Sequence, residues 1–345
     1  MDSKTRLQII GYDLLGACGQ DGLRYAWSVD ESRAFLESAA FINKTRGIKN
    51  DISGYTTSVS HGCILRQRGY QCTFCRTGNL MSFSRLLTAK EIAVQNVFMV
   101  LTDMCCSDHP ELASNMREFA YMGQGEPGYS YPQVRNAIKI TDSVMKKLGQ
   151  SVYRHIIATS GITDTLGLIA EDLSNQRFES RVTLHYSLHG TLSRSLIMPI
   201  NYLYPYREAV PQLRKISEAS GEKVCLGMLL FKDFVPRGRG FCFTTTIGEI
   251  DEILTNIDPE HFRFSLCEFN SEQDLGNSSV VPFDAFETFK EHLLDLGYET
   301  KLFTSFGREE YAACGMLAGK SPSRVASKKW QDLLARAEEL VDEAC

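Results

Sequence analysis

The chain has 345 residues, 43% of them hydrophobic and 23% charged, and its 37 basic and 42 acidic residues give a formal charge of −5. That is ordinary globular composition, enough for about two domains or one large α/β barrel. It weighs against a nucleic-acid partner, which draws most of its affinity from phosphate neutralisation by clustered Lys and Arg, without excluding one.

No stretch approaches the ~18 apolar residues that span a bilayer, and the N-terminus lacks the basic start and apolar core of a signal peptide. A soluble cytoplasmic protein with no membrane partner is expected. Eleven cysteines, an odd number at irregular spacing, do not read as a disulfide framework. Unpaired thiols fit metal ligation or thiol chemistry better, although Cys18, Cys225, Cys242 and Cys267 read first as small buried apolar residues.

In chain order, residues 1–50 mix short apolar pieces with Gly11, Gly16, Gly19 and Gly22 and read as a small accessory element. From 51 to 320, strand-like runs (Tyr55–Ser60, Glu118–Met122, His155–Thr159, Arg181–Ser187, Lys223–Leu230, Phe262–Phe269, Thr300–Thr304) alternate with amphipathic helical segments (Leu86–Leu101, Tyr131–Leu148, Arg207–Ser220, Phe283–Leu296). Regular β-then-α alternation predicts a parallel sheet, open or barrel-shaped, with its ligand site at the C-terminal strand ends. Thr102–Asn115 breaks the rhythm as a polar excursion carrying Cys105, Cys106 and His109. Ser321–Cys345 reads as a charged amphipathic helix packed on the core.

The segment HGCILRQRGYQCTFCRTG gives C-x8-C-x2-C directly after a predicted strand, with Cys63, Cys72 and Cys75 as the thiols. Soft anionic thiolates are the ligands of iron–sulfur clusters, and three rather than four leave one iron open to a substrate. A structural zinc site wants four protein ligands, and a second close pair is absent from the sequence.

Six further segments accompany the cysteines: YMGQGEP (Tyr121–Pro127), ATSGI (Ala158–Ile162), YSLHG (Tyr186–Gly190), MPINYLYP (Met198–Pro205), Asn270 after a strand, and YAACGMLAG (Tyr311–Gly319). Together and in this order they resemble the RlmN/Cfr family of radical S-adenosylmethionine (SAM) methyltransferases, over about Tyr55 to Lys320. The resemblance implies a partial (β/α)6 TIM-like radical SAM barrel with a short N-terminal accessory element and a C-terminal helix. It implies a [4Fe–4S] cluster on Cys63, Cys72 and Cys75, with SAM as cosubstrate. Phe74 matches the family aromatic that packs on the adenine of SAM, and Gly125 and Glu126 match the motif that receives the SAM amino group. Ser187, Leu188, His189 and Asn270 match further SAM contacts.

Cys314 sits where the family carries a cysteine that accepts a methyl group from SAM. In the family scheme a 5′-deoxyadenosyl radical then takes hydrogen from that S-methyl, and the methylene radical adds to an electron-poor sp² carbon. An electron donor such as flavodoxin or ferredoxin is implied. Glu37, in FLESAAF, resembles the family's proposed proton acceptor.

Departures from the family pattern gather on substrate handling. The second cysteine that resolves the covalent adduct is missing between Asp51 and Gly62, where Thr56 takes the nearest register. The cysteine spacing is five residues longer than the family's C-x3-C-x2-C. Ala158 replaces a SAM-contacting serine, and the N-terminal part is shorter than the family's RNA-binding domain. Three readings follow: methyl transfer through methylcysteine to a small aromatic metabolite or peptide rather than large-subunit rRNA; RNA adenine C-methylation with rearranged thiols; or a non-methylating radical SAM reaction that forms a carbon–carbon or thioether bond.

Overall fold

A computed structural model describes residues 7–15, 22–30, 35–42, 52–105, 116–236, 240–269, 283–303 and 316–345. Strands β1 (Leu7–Leu15), β2 (Gly22–Val29) and β3 (Leu36–Ile42) form an antiparallel meander that pairs onward with β4 (Ile52–Thr56). Along β1, Leu7, Ile9 and Leu15 are buried while Gln8 is exposed, the two-residue alternation of a sheet with one covered face. Next, the two-residue strands β5 (Ser60–His61) and β6 (Arg85–Leu86) pair with each other and bracket α1 (Ile64–Gln67) and α2 (Arg76–Leu80).

The rest alternates: α3 (Ala89–Cys105), β7 (Met116–Tyr121), α4 (Tyr131–Lys147), β8 (Ser151–Thr159), α5 (Thr163–Ser174), β9 (Val182–Ser187), α6 (Arg194–Ile197), α7 (Tyr206–Ser220), β10 (Val224–Leu230), α8 (Ile247–Leu254), β11 (Phe262–Glu268), α9 (Phe283–Asp295) and β12 (Thr300–Phe303). Strand β13 (Arg324–Val325) and helix α10 (Lys328–Asp342) complete the described chain.

Eleven strands join one sheet in the order β12-β11-β10-β9-β8-β7-β4-β3-β2-β1-β13. The seven from β4 to β12 pair in parallel, each beside its predecessor in this series. Sequential parallel order with right-handed crossovers puts every connecting helix on the same face, so the twisted sheet curls as a partial TIM-like barrel. The fold has the parallel sheet that the alternation predicts and the partial barrel that the resemblance implies, and all seven predicted strands are present. The first runs early, at Ile52–Thr56; Thr57 N still donates to Ala120 O of β7, and Val59 N donates past the end of β7 to Gln124 O, at 2.9 Å each.

Within residues 1–50, β1 to β3 extend the main sheet, since β3 pairs with β4 residue by residue from Ala39/Thr56 to Ile42/Ser53. Two expectations are corrected. Helix α3 is not amphipathic: Glu91 through Asp103 are all buried. It lies under α10, whose Trp330 ring sits 4.1 Å from Tyr12 and 5.8 Å from Phe98, and a helix covered on all sides loses its polar stripe. Cys242 is exposed rather than buried, because Phe243 pairs with Phe234 and turns inward, sending its neighbour outward. Cys225 is buried and Cys267 half-buried, while Cys18 lies outside the described residues. Among the described residues, no helix is long and apolar enough to cross a membrane.

Candidate active site

The predicted cysteines lie on the loop that leaves β4. Cys63 precedes α1 and Cys75 precedes α2, both in extended backbone, so each thiol sits where a short helix begins. Gly62 adopts φ +74°, and a Cβ there would meet Ser82 O at 2.3 Å, so the turn into Cys63 requires glycine. The five extra residues between Cys63 and Cys72 are accommodated by α1 and a turn at Gly69, which leave Arg68 over the Tyr129 ring at 4.5 Å.

One side chain organises the rest of the loop. Asn79 Nδ2 donates to Cys72 O at 3.0 Å, Thr73 O at 3.3 Å and Cys75 O at 2.7 Å. Three convergent carbonyls fix the conformation of the loop that carries Cys72 and Cys75. The signal was present in the sequence, as a polar residue four positions after Cys75, yet Asn is too common in loops for spacing alone to single it out.

The thiols share one electrostatic environment. Burial pushes Cys63 up to about 12, and the Cys75 thiol beside it adds to the effect. Cys72 is held well above the usual thiol range by burial first and then by Cys75 and Cys63, while the Arg194 guanidinium pulls it down. Cys75 is raised by burial against N–H donors from Gly78 and Thr77 and the Thr77 hydroxyl. Three desolvated thiols, with backbone donors aimed at Cys63 and Cys75, suit a soft cationic centre that takes the place of their protons.

The parallel strand ends surround this loop. After β7, Gly125 takes φ +110°, and a Cβ there would lie 2.3 Å from Ser60 Oγ and 2.8 Å from Val59 Cγ2. Only glycine lets the Glu126 backbone pass so close to the loop entering the cysteines. Both Glu126 oxygens are engaged: Oε1 accepts from Gly128 N at 2.8 Å and from the Thr159 hydroxyl, while Oε2 accepts from Ser160 N at 2.9 Å and Ser160 Oγ at 2.7 Å. Four donors fill the four lone-pair directions of a carboxylate and bind the end of β7 to that of β8. Ser160 thus supplies a hydroxyl at this strand end, two residues beyond Ala158.

Beyond β9, Leu188 N and His189 N both donate to Gly227 O at 3.0 Å, and Leu229 N donates to His189 Nδ1 at 3.1 Å. The hydrogen of the neutral ring is therefore on Nε2, and burial, reinforced by Arg194, lowers His189 to about 3. His189 holds φ 56°, unusual for a non-glycine residue and imposed by these bonds. Its ring meets Phe74 edge to face at 5.0 Å, and Phe74 also lies 5.9 Å from Phe231. An apolar cluster of Leu65, Ile162, Ile197, Met198, Leu229 and Phe231 encloses this contact.

Residues absent from the sequence reading hold the loop after β9. Glu249 on α8 accepts from Thr191 N at 2.6 Å, Ser193 N at 3.2 Å and the Ser193 hydroxyl. Arg194 donates to Ser187 O at 2.6 Å, Ser160 O at 2.8 Å and Leu188 O. Their partners are backbone atoms or residues tens of positions away, which no local pattern announces.

Glu37, on β3, is completely buried. Arg24 pairs with it, Gln124 Nε2 donates to it at 3.1 Å, and Gly319 N donates at 2.7 Å. Arg24 also binds Asp13 and Lys320 O, and Ser323 N donates to Asp13 at 2.8 Å. The meander thereby grips Gly319 to Ser323, while the Thr77 hydroxyl holds Leu317 O from the cysteine side. Cys314 and Asn270 lie outside the described residues, as do Cys106 and His109; Cys105 is exposed at the end of α3.

An open groove of about 580 Å³ between α5 and α7, lined by Glu171, Lys215 and Glu218 among others, lies near the C-terminal ends of these helices, away from this site.

No family model matches the chain. It is 26% identical over 281 residues to the dual-specificity RNA methyltransferase RlmN of Bradyrhizobium diazoefficiens, covering 80% of this chain and 65% of that protein. It is 27% identical over 295 residues to the probable dual-specificity RNA methyltransferase RlmN of Pseudothermotoga lettingae, covering 84% and 76%. The chain spans just under two thirds, 65% and 66%, of the first curated relatives it matches. A crystal structure of a radical SAM methyltransferase from Sphaerobacter thermophilus superposes with a TM-score of 0.72 over 92% of this chain and 82% of that one, at 19% identity, a likeness of fold. With the cysteine loop and the motif-bearing strand ends gathered at one end of such a fold, the chain is similar in sequence to RlmN-type RNA methyltransferases and in fold to a radical SAM methyltransferase.

Proposed function

We propose that this chain is a radical SAM enzyme that transfers a SAM-derived one-carbon unit through Cys314 to an unactivated sp² carbon. The observation that carries the reading is the 5.0 Å contact between Phe74 and His189, which seats the cysteine loop against the strand-end motif that resembles a SAM contact.

Cys63, Cys72 and Cys75 would hold a [4Fe–4S] cluster. Bound there with one iron free of protein ligands, the cluster supplies a single electron to the sulfonium of SAM. Phe74 offers a flat apolar face for the adenine, beside Ser187, Leu188 and His189, with Asn270 as a further contact. Glu126 receives the ammonium by releasing one of its hydroxyl donors, Thr159 or Ser160. Glu37 serves as the anchor of the segment following Cys314, its carboxylate being fully engaged by Arg24, Gln124 and Gly319. The apolar cluster around Phe74 excludes water from the reacting groups.

We assign the acceptor to small aromatic metabolites or peptides, on the net charge of −5 and an N-terminal meander absorbed into the main sheet. An RNA adenine as acceptor is the second reading, favoured by the names of the relatives. A low-potential donor such as flavodoxin or ferredoxin would reduce the cluster.

Anaerobic reconstitution of the full chain tests the reading. Wild type should take up iron and sulfide and cleave SAM to 5′-deoxyadenosine and methionine, and mass spectrometry should find a methyl group on the Cys314 peptide. The Cys63→Ala/Cys72→Ala/Cys75→Ala variant should show no cluster absorption. Full iron retention by that variant, or an unmodified Cys314 after incubation with SAM and reductant, overturns it.

A further inference from the structure

Residues 52–90 hold Arg66, Arg68, Arg76, Arg85 and Lys90 and no Asp or Glu, within a chain of formal charge −5. The fold pairs some of these cations and leaves others open. Arg85 pairs with Asp30 and Glu91, and Lys90 pairs with Asp342. Arg66 and Arg68 lie in the long spacing between Cys63 and Cys72. Arg66 donates to Gly78 O at 3.3 Å and Arg68 lies over the Tyr129 ring at 4.5 Å; among the described residues neither meets a carboxylate. Arg68 stands with Gln67 and Gly69 at the exposed tip of the loop. A guanidinium on a ring face keeps its charge and its N–H groups for a further partner. This tip is tied to the thiols. Arg66 N donates to Cys63 O at 3.0 Å, and Gly78, which Arg66 holds, aims its own N–H at the Cys75 thiol. On the other side Tyr204 meets Tyr129, and the segment of Tyr204 exposes Tyr202 (65%) and Leu203 (44%). Arginine and exposed aromatic residues are the side chains that protein–protein contacts favour.

We propose that Arg66 and Arg68, with Tyr202 and Leu203 beside them, form the docking surface for an acidic electron-transfer protein of the flavodoxin kind, which reduces the cluster held by the same loop. The inference rests on the function proposed above and adds the place where the donor binds. The step is a one-electron transfer. The anionic flavin hydroquinone is oxidised to the neutral semiquinone, the cluster gains one negative charge, and no bond forms or breaks. Such a transfer slows steeply with distance, so the donor must sit where the thiols lie close to the surface. Electron-transfer encounters bury little area, under about 1,200 Å², and a patch of a few residues is enough for one. Opposite charges across it speed the encounter and set its orientation. A nucleic acid draws affinity from many phosphates along a basic track, and with Arg85 and Lys90 paired internally the loop offers no such track.

Calorimetric binding of oxidised flavodoxin to the anaerobically reconstituted full chain at low salt tests the surface. Arg68→Glu should weaken binding about tenfold, Arg68→Gln should weaken it less, and added salt should narrow both differences. Lys215→Glu makes the same change of charge at the exposed groove between α5 and α7 and should bind as wild type does. Stopped-flow bleaching of the cluster gives a second reading. Reduction by flavodoxin hydroquinone should slow in Arg68→Glu, whereas reduction by the methyl viologen radical, a small cation that needs no docking surface, should not. Flavodoxin binding unchanged in Arg68→Glu overturns the inference, as does equal weakening in Lys215→Glu or equal slowing with both reductants. An RNA oligonucleotide that loses affinity for Arg68→Glu where flavodoxin does not would give the arginines to phosphate, and overturns it too. Wild-type chain that carries its cluster and binds no flavodoxin defeats the docking surface alone. Wild-type chain that takes up no cluster defeats the proposed function instead.

Discussion

Gln124 Nε2 donates to Glu37 Oε2 at 3.1 Å, while its Oε1 accepts from Gly62 N at 3.4 Å. A single buried amide therefore joins the antiparallel meander to the residue that precedes Cys63. Gln124 also donates to Phe35 O at 3.1 Å, so its removal strands several buried polar groups at once. Each costs about 1–3 kcal/mol when left unpaired. Gln124→Ala should lower the unfolding free energy by about 2–4 kcal/mol in urea titration; a loss below about 0.5 kcal/mol would refute the bridge.

The Arg24–Glu37 pair is fully buried on both sides. Removing one partner of such a pair leaves an uncompensated charge and costs about 3–5 kcal/mol. Arg24→Met should show that loss, and Arg24→Met/Glu37→Gln should recover part of it. A double-mutant cycle reads the coupling directly, and additive losses would mean that the two side chains act independently.

Asn79→Ala removes a clamp from the carbonyls of Cys72, Thr73 and Cys75. Because these bonds organise one loop rather than the main core, global stability should fall by only about 1 kcal/mol. Iron content after anaerobic reconstitution should drop severalfold. Iron uptake equal to wild type at equal protein stability argues that the thiols are organised without it.

Gly125→Ala forces a Cβ to within 2.3 Å of Ser60 Oγ at φ +110°. Backbone strain and the clash together should cost about 2–4 kcal/mol. Thermal unfolding checks this, and an unchanged midpoint would show that the Val59–Ser60 turn yields easily.

Stability should also depend on pH through Asp103. Burial raises its carboxyl to about 7, against the Tyr55 hydroxyl and Arg117, which favour the anion. A carboxyl whose folded value lies above its unfolded value binds its proton more tightly in the folded state. Its contribution is thus complete below the unfolded value of about 3.9 and is lost as pH rises to about 7. Asp103→Asn should flatten that slope between pH 4 and pH 7, as read by urea unfolding at each pH, and a slope identical to wild type would assign it to other groups.

Much of the barrel was legible in the sequence. Strands such as Val224–Leu230 and helices such as Tyr131–Lys147 are long periodic runs, and burial demands that periodicity wherever the element sits. Helix α3 was misread as amphipathic because the cover that α10 provides comes from more than 200 residues away along the chain. That the meander continues the main sheet was not legible, because pairing of β3 with β4 depends on backbone hydrogen bonds that leave little trace in residue type.

The amino-acid order alone determined the chemistry available: three thiols at a strand end, a glycine–glutamate pair after one strand and a serine–leucine–histidine triplet after another. These are properties of residue kind and spacing, and spacing fixes which end of a parallel strand a motif occupies. Only the tertiary structure decided how those pieces are held. Arg24 reaches Glu37, Gln124 reaches Gly62 and Arg194 reaches Ser160 across 13, 62 and 34 residues. Such contacts arise from the curvature of the sheet and from the need to pair every buried charge and N–H. That requirement belongs to the folded interior as a whole, and no segment of sequence carries it.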